Sequence, residues 1–216
     1  MSWDTLKRTL HQMGATYRRA RRVPPKEPVP ATDAAVRRAL IRLHRLEALG
    51  RLDVLYGDES GFSLLPCVPY LWQLKGHTVR LPAHPHQKRL NILGFWRSDN
   101  RLFRFAIKGR LKAENFIQSV EELLPTLRRP TVIVLDNASV HRAKAVQAKR
   151  EEWKKKGLRL LFLPPYSPHL NRIEVLWRQV KYHWLEPTAY TDFPTLCHSV
   201  NTVLDQVGTK YQITFA

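Results

Sequence analysis

Three carboxylates stand out in a chain that is otherwise rich in cations. The 216 residues carry 36 Lys+Arg against 18 Asp+Glu, a formal net charge of +18. Asp58 closes the apolar stretch of LDVLYGDESGF, Asp136 closes that of TVIVLDNASVH, and Glu174 follows the proline-punctuated turn of LPPYSPHLNRIEVLW. Brought together, three such groups repel one another and show displaced pKa values unless a cation holds them. An all-oxygen donor set selects a hard ion, Mg²⁺ or Mn²⁺. Two such ions about 4 Å apart clamp a phosphodiester, activating the attacking oxygen and stabilising the leaving one. A chain this basic holds polyanions by counterion release, so the expected substrate is a nucleic-acid backbone.

Each acid also has a purely structural reading. Asp136 and Asn137 together read as an Asx turn, or as the cap of a following helix. Strand alternation sends Leu52, Val54, Tyr56 and Asp58 to one face and Leu55, Gly57 and Glu59 to the other, so Asp58 and Glu59 cannot share a site without distortion. Asp58 continues an apolar stripe and is the more informative of the two, although a charge at a strand end beside a glycine turn also accounts for it. Asn171 and Glu174 have the spacing of a capping box, in which each side chain bonds the other's backbone. On a helical wheel, Leu176, Trp177, Val180 and Trp184 form a buried stripe, with Glu174, Arg178 and Lys181 together on its flank.

The elements that must position these groups follow from period and punctuation. Leu6, Leu10 and Met13 give a first helix that stops at Gly14, trailed by a basic arm of Arg18, Arg19, Arg21 and Arg22. VPPKEPVPATD, with four prolines in 11 residues, reads as a linker. A helix over 32–50 follows, with Thr32 or Asp33 as N-cap and Ala35, Leu40, Leu43 and Leu46 or Leu49 facing inward. Then LDVLYGDESGF, YLWQLKGHTVRLP, RLNILGFWRS and RLFRFAIKG form an antiparallel meander. Beyond it, helix, strand, helix, strand and helix alternate over AENFIQSVEELLPTL, TVIVLDNASVH, RAKAVQAKREEWKKKG, LRLLFLPPY and NRIEVLWRQVKYHWL, before a last helix, FPTLCHSVNTVLDQV. Strands 52–60, 131–136 and 158–163 are expected in one mixed sheet with helices on its faces, an α/β architecture.

Composition narrows the remaining classes. The length suits one principal domain, and 44% hydrophobic residues with six Trp argue for a folded globule. Cys67 and Cys197 lie far apart with no CxxC pair, which suggests neither a disulfide framework nor a thiolate zinc site. His84-Pro85-His86 gives zinc little support. No membrane span or signal peptide is apparent, so a cytoplasmic, nucleoid-associated protein is expected.

YGDESGF, VLDNASVH and LPPYSPHLNRIEVLW together resemble the three catalytic blocks of the IS630/Tc1-mariner transposases, DDE enzymes with a ribonuclease-H-like fold. The resemblance spans roughly residues 50 to 185, and its third block is the most specific. It implies a ribonuclease-H-like mixed β-sheet flanked by helices, with a catalytic domain over 51–216. Ahead of that stand a proline-rich linker and helix over 23–50 and a helical remnant of a helix-turn-helix DNA-binding domain over 1–22. It makes Asp58, Asp136 and Glu174 the triad, holding two Mg²⁺ or Mn²⁺ ions. Asn137, His141, Asn171, Arg178 and Lys181, with the four arginines of the arm, become the supporting or DNA-binding candidates. The implied partners are double-stranded DNA, as transposon ends and target, a second copy of the chain, and a separately encoded amino-terminal half. The implied chemistry is cleavage at transposon ends followed by 3′-hydroxyl strand transfer at TA sites; a catalytically idle truncated transposase is the alternative. Arg172 stands where the family usually has proline.

Overall fold

The computed structural model describes residues 2–14, 30–65 and 88–214. The central run of the meander forms as expected: β1 (Asp53–Ser63) pairs antiparallel with β2 (Arg89–Arg97), which pairs antiparallel with β3 (Leu102–Ile107). On its other edge β1 pairs in parallel with β4 (Thr131–Leu135), and β4 with β5 (Leu158–Phe162), giving a five-stranded mixed sheet in the order β3-β2-β1-β4-β5. The helices are α1 (Trp3–Gln12), α2 (Pro30–Ala48), α3 (Ala113–Leu123), α4 (Lys144–Lys155), α5 (Ile173–Gln179) and α6 (Phe193–Asp205).

Strand alternation divides the interior into two cores. Val54 and Tyr56 of β1, Ile92 and Trp96 of β2 and Val134 of β4 point to one side, where Leu176 and Trp177 of α5 and Leu196 and Val200 of α6 cover them. Leu55, Leu93, Phe95, Ile133 and Leu135 point to the other, under Phe116 and Val120 of α3 and Val146 and Trp153 of α4. β1 and β4 are buried on both faces, which is why their sequences run apolar almost without interruption.

The amino-terminal half departs from expectation in three respects. Residues 30–33 are the first turn of α2 and not linker, because Pro30 occupies a helix start, where its missing N–H costs nothing. Thr32 and Asp33 therefore lie inside the helix and do not cap it; Asp33 instead accepts from Arg37 Nε at 2.6 Å. Of the side chains expected to face inward, Leu40 is buried and Leu43 and Leu46 are half-buried, whereas Ala35 and Leu49 are exposed. α2 is tied to the sheet by polar contacts: Glu47 Oε1 accepts from the Val54 N–H at 3.0 Å, and His44 Nε2 lies 2.8 Å from the Tyr56 hydroxyl. The strand read in YLWQLKGHTVRLP, the basic arm of Arg18, Arg19, Arg21 and Arg22, and His84 and His86 lie outside the described residues. At the far end, the long helix over 171–185 is α-helical only to Gln179 and continues as one π-helical turn, Val180–Trp184.

Candidate active site

Register brings two of the acids together. Gly57 pairs with Leu135 in the parallel ladder, so Asp58 and Asp136 are the next residues along two adjacent strands. Asp58 shares a parity with Val54 and Tyr56, and Asp136 with Val134, so both fall on the face that α5 and α6 cover. Adjacent strands run about 4.8 Å apart, which is the scale of the separation between these two backbones. On the other edge of β1, Asp58 pairs with Gly94.

Gly94 is what lets α5 approach. A Cβ there would lie 2.7 Å from Trp177 Cζ2 and 3.2 Å from Ile173 Cδ1, so the bare backbone accepts the indole and the first residue of α5 lying across it. Trp177 also meets Phe62 edge-on, with centroids 6.3 Å apart. Buried Asn171 donates from Nδ2 to the carbonyl of Gly57 at 3.2 Å, which fastens the start of this segment to the residue before Asp58. The capping box expected between Asn171 and Glu174 therefore does not form. Asn171 directs its amide to the sheet, α5 begins at Ile173 without a side-chain cap, and Glu174 is the exposed residue of a first turn otherwise packed on the sheet, with its carboxylate partly shielded from water.

Asp136 is held from below. Its Oδ1 lies 2.9 Å from His141 Nδ1 and accepts from the Ala138 N–H at 3.1 Å, an Asx-type turn that orients one carboxylate oxygen and leaves the other available. His141 is 2% exposed and rests against the Phe116 ring with centroids 4.8 Å apart, so it sits beneath the carboxylate and is closed off from solvent. The turn reading of Asp136 holds, and it leaves the second carboxylate oxygen free of these two contacts.

The electrostatics follow from this crowding. Burial, together with the charges of Glu174 and Asp136, pushes the Asp58 carboxyl up to about 8, against opposition from the Glu59 backbone N–H and Lys181. Burial also raises Glu174, with Asp136 adding to the shift and Lys181 opposing it. Burial works to raise Asp136 as well, but the hydrogen bonds from His141 and the Ala138 N–H, with the charge of His141, outweigh it and hold this group below the usual carboxylate range. Three acids thus sense one another, with Lys181 as the nearby cation, its Nζ 5.4 Å from the centre of the Phe62 ring. Among the described residues no three His, Cys, Asp or Glu side chains converge closely enough to enclose a metal ion as they stand. The donor set nevertheless fits a hard divalent cation: every donor is a carboxylate oxygen, and a bound cation would relieve the repulsion that raises Asp58.

Two open clefts flank the carboxylates. One, of about 510 Å³, is lined by Glu174, Arg178, Lys181, Trp177 and Asn171; Trp177 Nε1 and Asn171 Oδ1, both buried, have no protein partner among the described residues. The other, of about 470 Å³, is lined by Asn137, Arg142, Arg150 and the Pro164-Pro165 turn, and Asn137 Oδ1 accepts from Arg142 Nη1 at 3.1 Å. Arg142, Arg150 and the Ala138 N–H carried no signal separable from ordinary helix and turn residues. Gly94 did carry one, since a glycine inside a strand marks close backbone approach.

A five-stranded mixed sheet flanked by helices, with acids at adjacent strand positions and on the helix above them, is the ribonuclease-H-like fold. The chain belongs to the DDE superfamily endonuclease family, which it matches over residues 53–197. It is 28% identical over 181 residues to the insertion element IS630 uncharacterized 39 kDa protein of Shigella sonnei, a match that takes in 81% of this chain and 50% of the relative. The chain thus spans about half the length of that relative. The same fold occurs in the Mos1 strand transfer complex (TM-score 0.62, 19% identity, 98% of this chain and 64% of that one). It occurs again in the mariner Mos1 paired end complex with Mg (TM-score 0.63, 17% identity, 94% and 63%). Among the described residues no helix is long and apolar enough to cross a membrane.

Proposed function

We propose that this chain is the catalytic region of a DNA transposase, with Asp58, Asp136 and Glu174 holding two Mg²⁺ or Mn²⁺ ions. The observation that carries the reading is the strand register, which makes Asp58 and Asp136 neighbours on the face that α5 covers with Glu174 on its first turn. When bound there, a pair of divalent cations supplies activation of the attacking oxygen and neutralisation of the leaving one. The chain's own residues do the rest. His141 and the Ala138 N–H fix the rotamer of Asp136, Asn171 and Gly94 fix the height of α5, and Lys181 and Arg178 attract the scissile backbone from the flank. Cleavage at a transposon end and attack of the freed 3′-hydroxyl on a TA target follow from the resemblance.

The partners proposed are double-stranded DNA at both ends and target, a second copy of the chain, and an amino-terminal half encoded separately. The division into a remnant over 1–22, a linker and helix over 23–50 and a catalytic domain over 51–216 belongs to the same proposal, as does association with the nucleoid.

Glu174→Gln tests the reading. Metal-dependent nicking of supercoiled DNA should be abolished while DNA affinity stays within two-fold. Nicking by the wild-type chain that survives in Glu174→Gln removes Glu174 from the site. A chain that binds DNA but never nicks it, and binds no Mn²⁺ by calorimetry, is the idle truncated form.

A further inference from the structure

A second basic site lies at the amino-terminal ends of β1 and β4, away from the carboxylates. A cleft of about 200 Å³ opens there between Asp53 and Leu55 of β1, Arg97 and Arg101 around the β2–β3 turn, and Arg128 and Arg129 leading into β4. Its one lining acid is already engaged: Asp53 Oδ1 lies 2.9 Å from Arg97 Nη1 and 3.7 Å from Arg129 Nη1. Arg97 is also braced by Asp99, and Asp99 Oδ1 takes the Arg101 backbone N–H at 3.1 Å. The Arg101 guanidinium makes no hydrogen bond among the described residues, and Arg128 makes neither hydrogen bond nor ion pair there. Two guanidinium forks paired with Asp53 and two without a side-chain hydrogen bond among the described residues line one cavity, which suits a tetrahedral oxyanion whose oxygens accept paired N–H donors.

Its position separates it from the reacting centre. Asp53 and Asp58 are five residues apart on one strand, about 17 Å at the usual rise. The cleft also opens beside Leu55, on the α3/α4 face of the sheet, whereas Asp58 faces α5. An anion held in the cleft therefore lies on the opposite face of the sheet from the carboxylates.

We propose that this arginine cleft binds a backbone phosphate of a second DNA duplex, distinct from the one presented to the carboxylates. The inference rests on the transposase reading only in taking DNA as the partner. Its test is a bridging assay on the full chain: donor- and acceptor-labelled 30-base-pair duplexes are mixed with wild-type protein, the Arg101→Ala/Arg128→Ala pair, or the Arg101→Lys/Arg128→Lys pair. Energy transfer is expected with wild type, to fall at least five-fold with the alanine pair and also with the lysine pair, which keeps charge but loses the fork. The salt slope of DNA binding should drop by about 1.8 for the alanine pair, two phosphate-directed charges at about 0.9 each. Mn²⁺-dependent nicking of a single duplex should stay within two-fold.

Bridging and slope unchanged in the alanine pair overturn the proposal. Inorganic phosphate binding by calorimetry that the alanine pair loses while bridging persists also overturns it, by making the cleft a small-anion site. If bridging is lost in the alanine pair but no variant nicks DNA, the second-duplex site stands and the catalytic reading fails.

Discussion

Asp58→Asn should remove the pH dependence of stability that the carboxylate cluster imposes. Asp58 ionises near 3.8 in the unfolded chain and at about 8 in the metal-free fold, so between those values the native state holds a proton that the unfolded state has released. Stability then falls as pH rises from about 4 to about 8, because the unfolded state binds fewer protons across that window. About four pKa units at roughly 1.4 kcal/mol each set an upper bound on the order of 5 kcal/mol, which water entering the site on ionisation lowers. For a chain of this size, each kcal/mol shifts Tm by about 2–4 °C, so a gap of about 10 °C between wild type and Asp58→Asn is expected at pH 8.5, narrowing to about 3 °C at pH 5. The +18 net charge affects both proteins alike and cancels in the difference. Calorimetric melting of both proteins across pH 5–8.5, with and without 5 mM Mn²⁺, measures the effect. Mn²⁺ should restore the wild-type Tm at high pH and leave Asp58→Asn unmoved. Parallel pH curves for the two proteins would falsify the placement of Asp58 among like charges.

Three further substitutions probe the groups that hold the site. His141→Phe removes the hydrogen bond and charge that keep the Asp136 carboxyl low, so its pKa rises; the lower limb of the pH profile for Mn²⁺ binding, followed by calorimetry, should move to higher pH. Asn171→Leu breaks the bond to the Gly57 carbonyl and leaves that acceptor unmatched, at a cost of about 1–3 kcal/mol in urea unfolding, with nicking lost more than affinity. Gly94→Val drives its side chain into Trp177; a loss of about 1–3 kcal/mol and a shift in Trp fluorescence are expected, and an unshifted spectrum at full stability would contradict the seating of α5 on bare backbone.

Much of the site was legible because strand parity is a local property. The alternation counted from Leu52 to Glu59 assigned Asp58 its face, the abrupt end of the apolar run TVIVL marked Asp136 as a strand end, and the buried stripe of α5 followed from the helical wheel, with Leu176, Trp177 and Val180 all interior. The amino-terminal helix misled for the opposite reason. Proline density signals a linker, yet Pro30 sits where a helix tolerates proline best, and the inward face of α2 is set by contacts to Tyr56 and Val54 that no local period encodes. The π-helical turn after Gln179 is equally silent in composition, although it carries Lys181.

Asn171 shows most clearly where local reasoning stops. Its spacing to Glu174 satisfies a capping box, which would fold the glutamate back onto its own helix end and neutralise it as a ligand. What wins instead is a buried carbonyl 114 positions away in sequence: Gly57, inside the sheet, presents an acceptor that is costly to leave unpaired in the core, whereas the first turn of α5 manages without a side-chain cap because the Glu174 and Val175 N–H groups donate to the Asn171 and Arg172 carbonyls at 3.1 and 3.0 Å. The same bond that defeats the cap therefore frees Glu174 and sets its height above Asp58. The substitution Asn171→Asp, which keeps the capping acceptor but loses the amide donor, should restore the cap and silence the site together. An Asn171→Asp protein that retains both its α5 position, read from Trp177 fluorescence, and its nicking rate would show that the glutamate is positioned by some other contact.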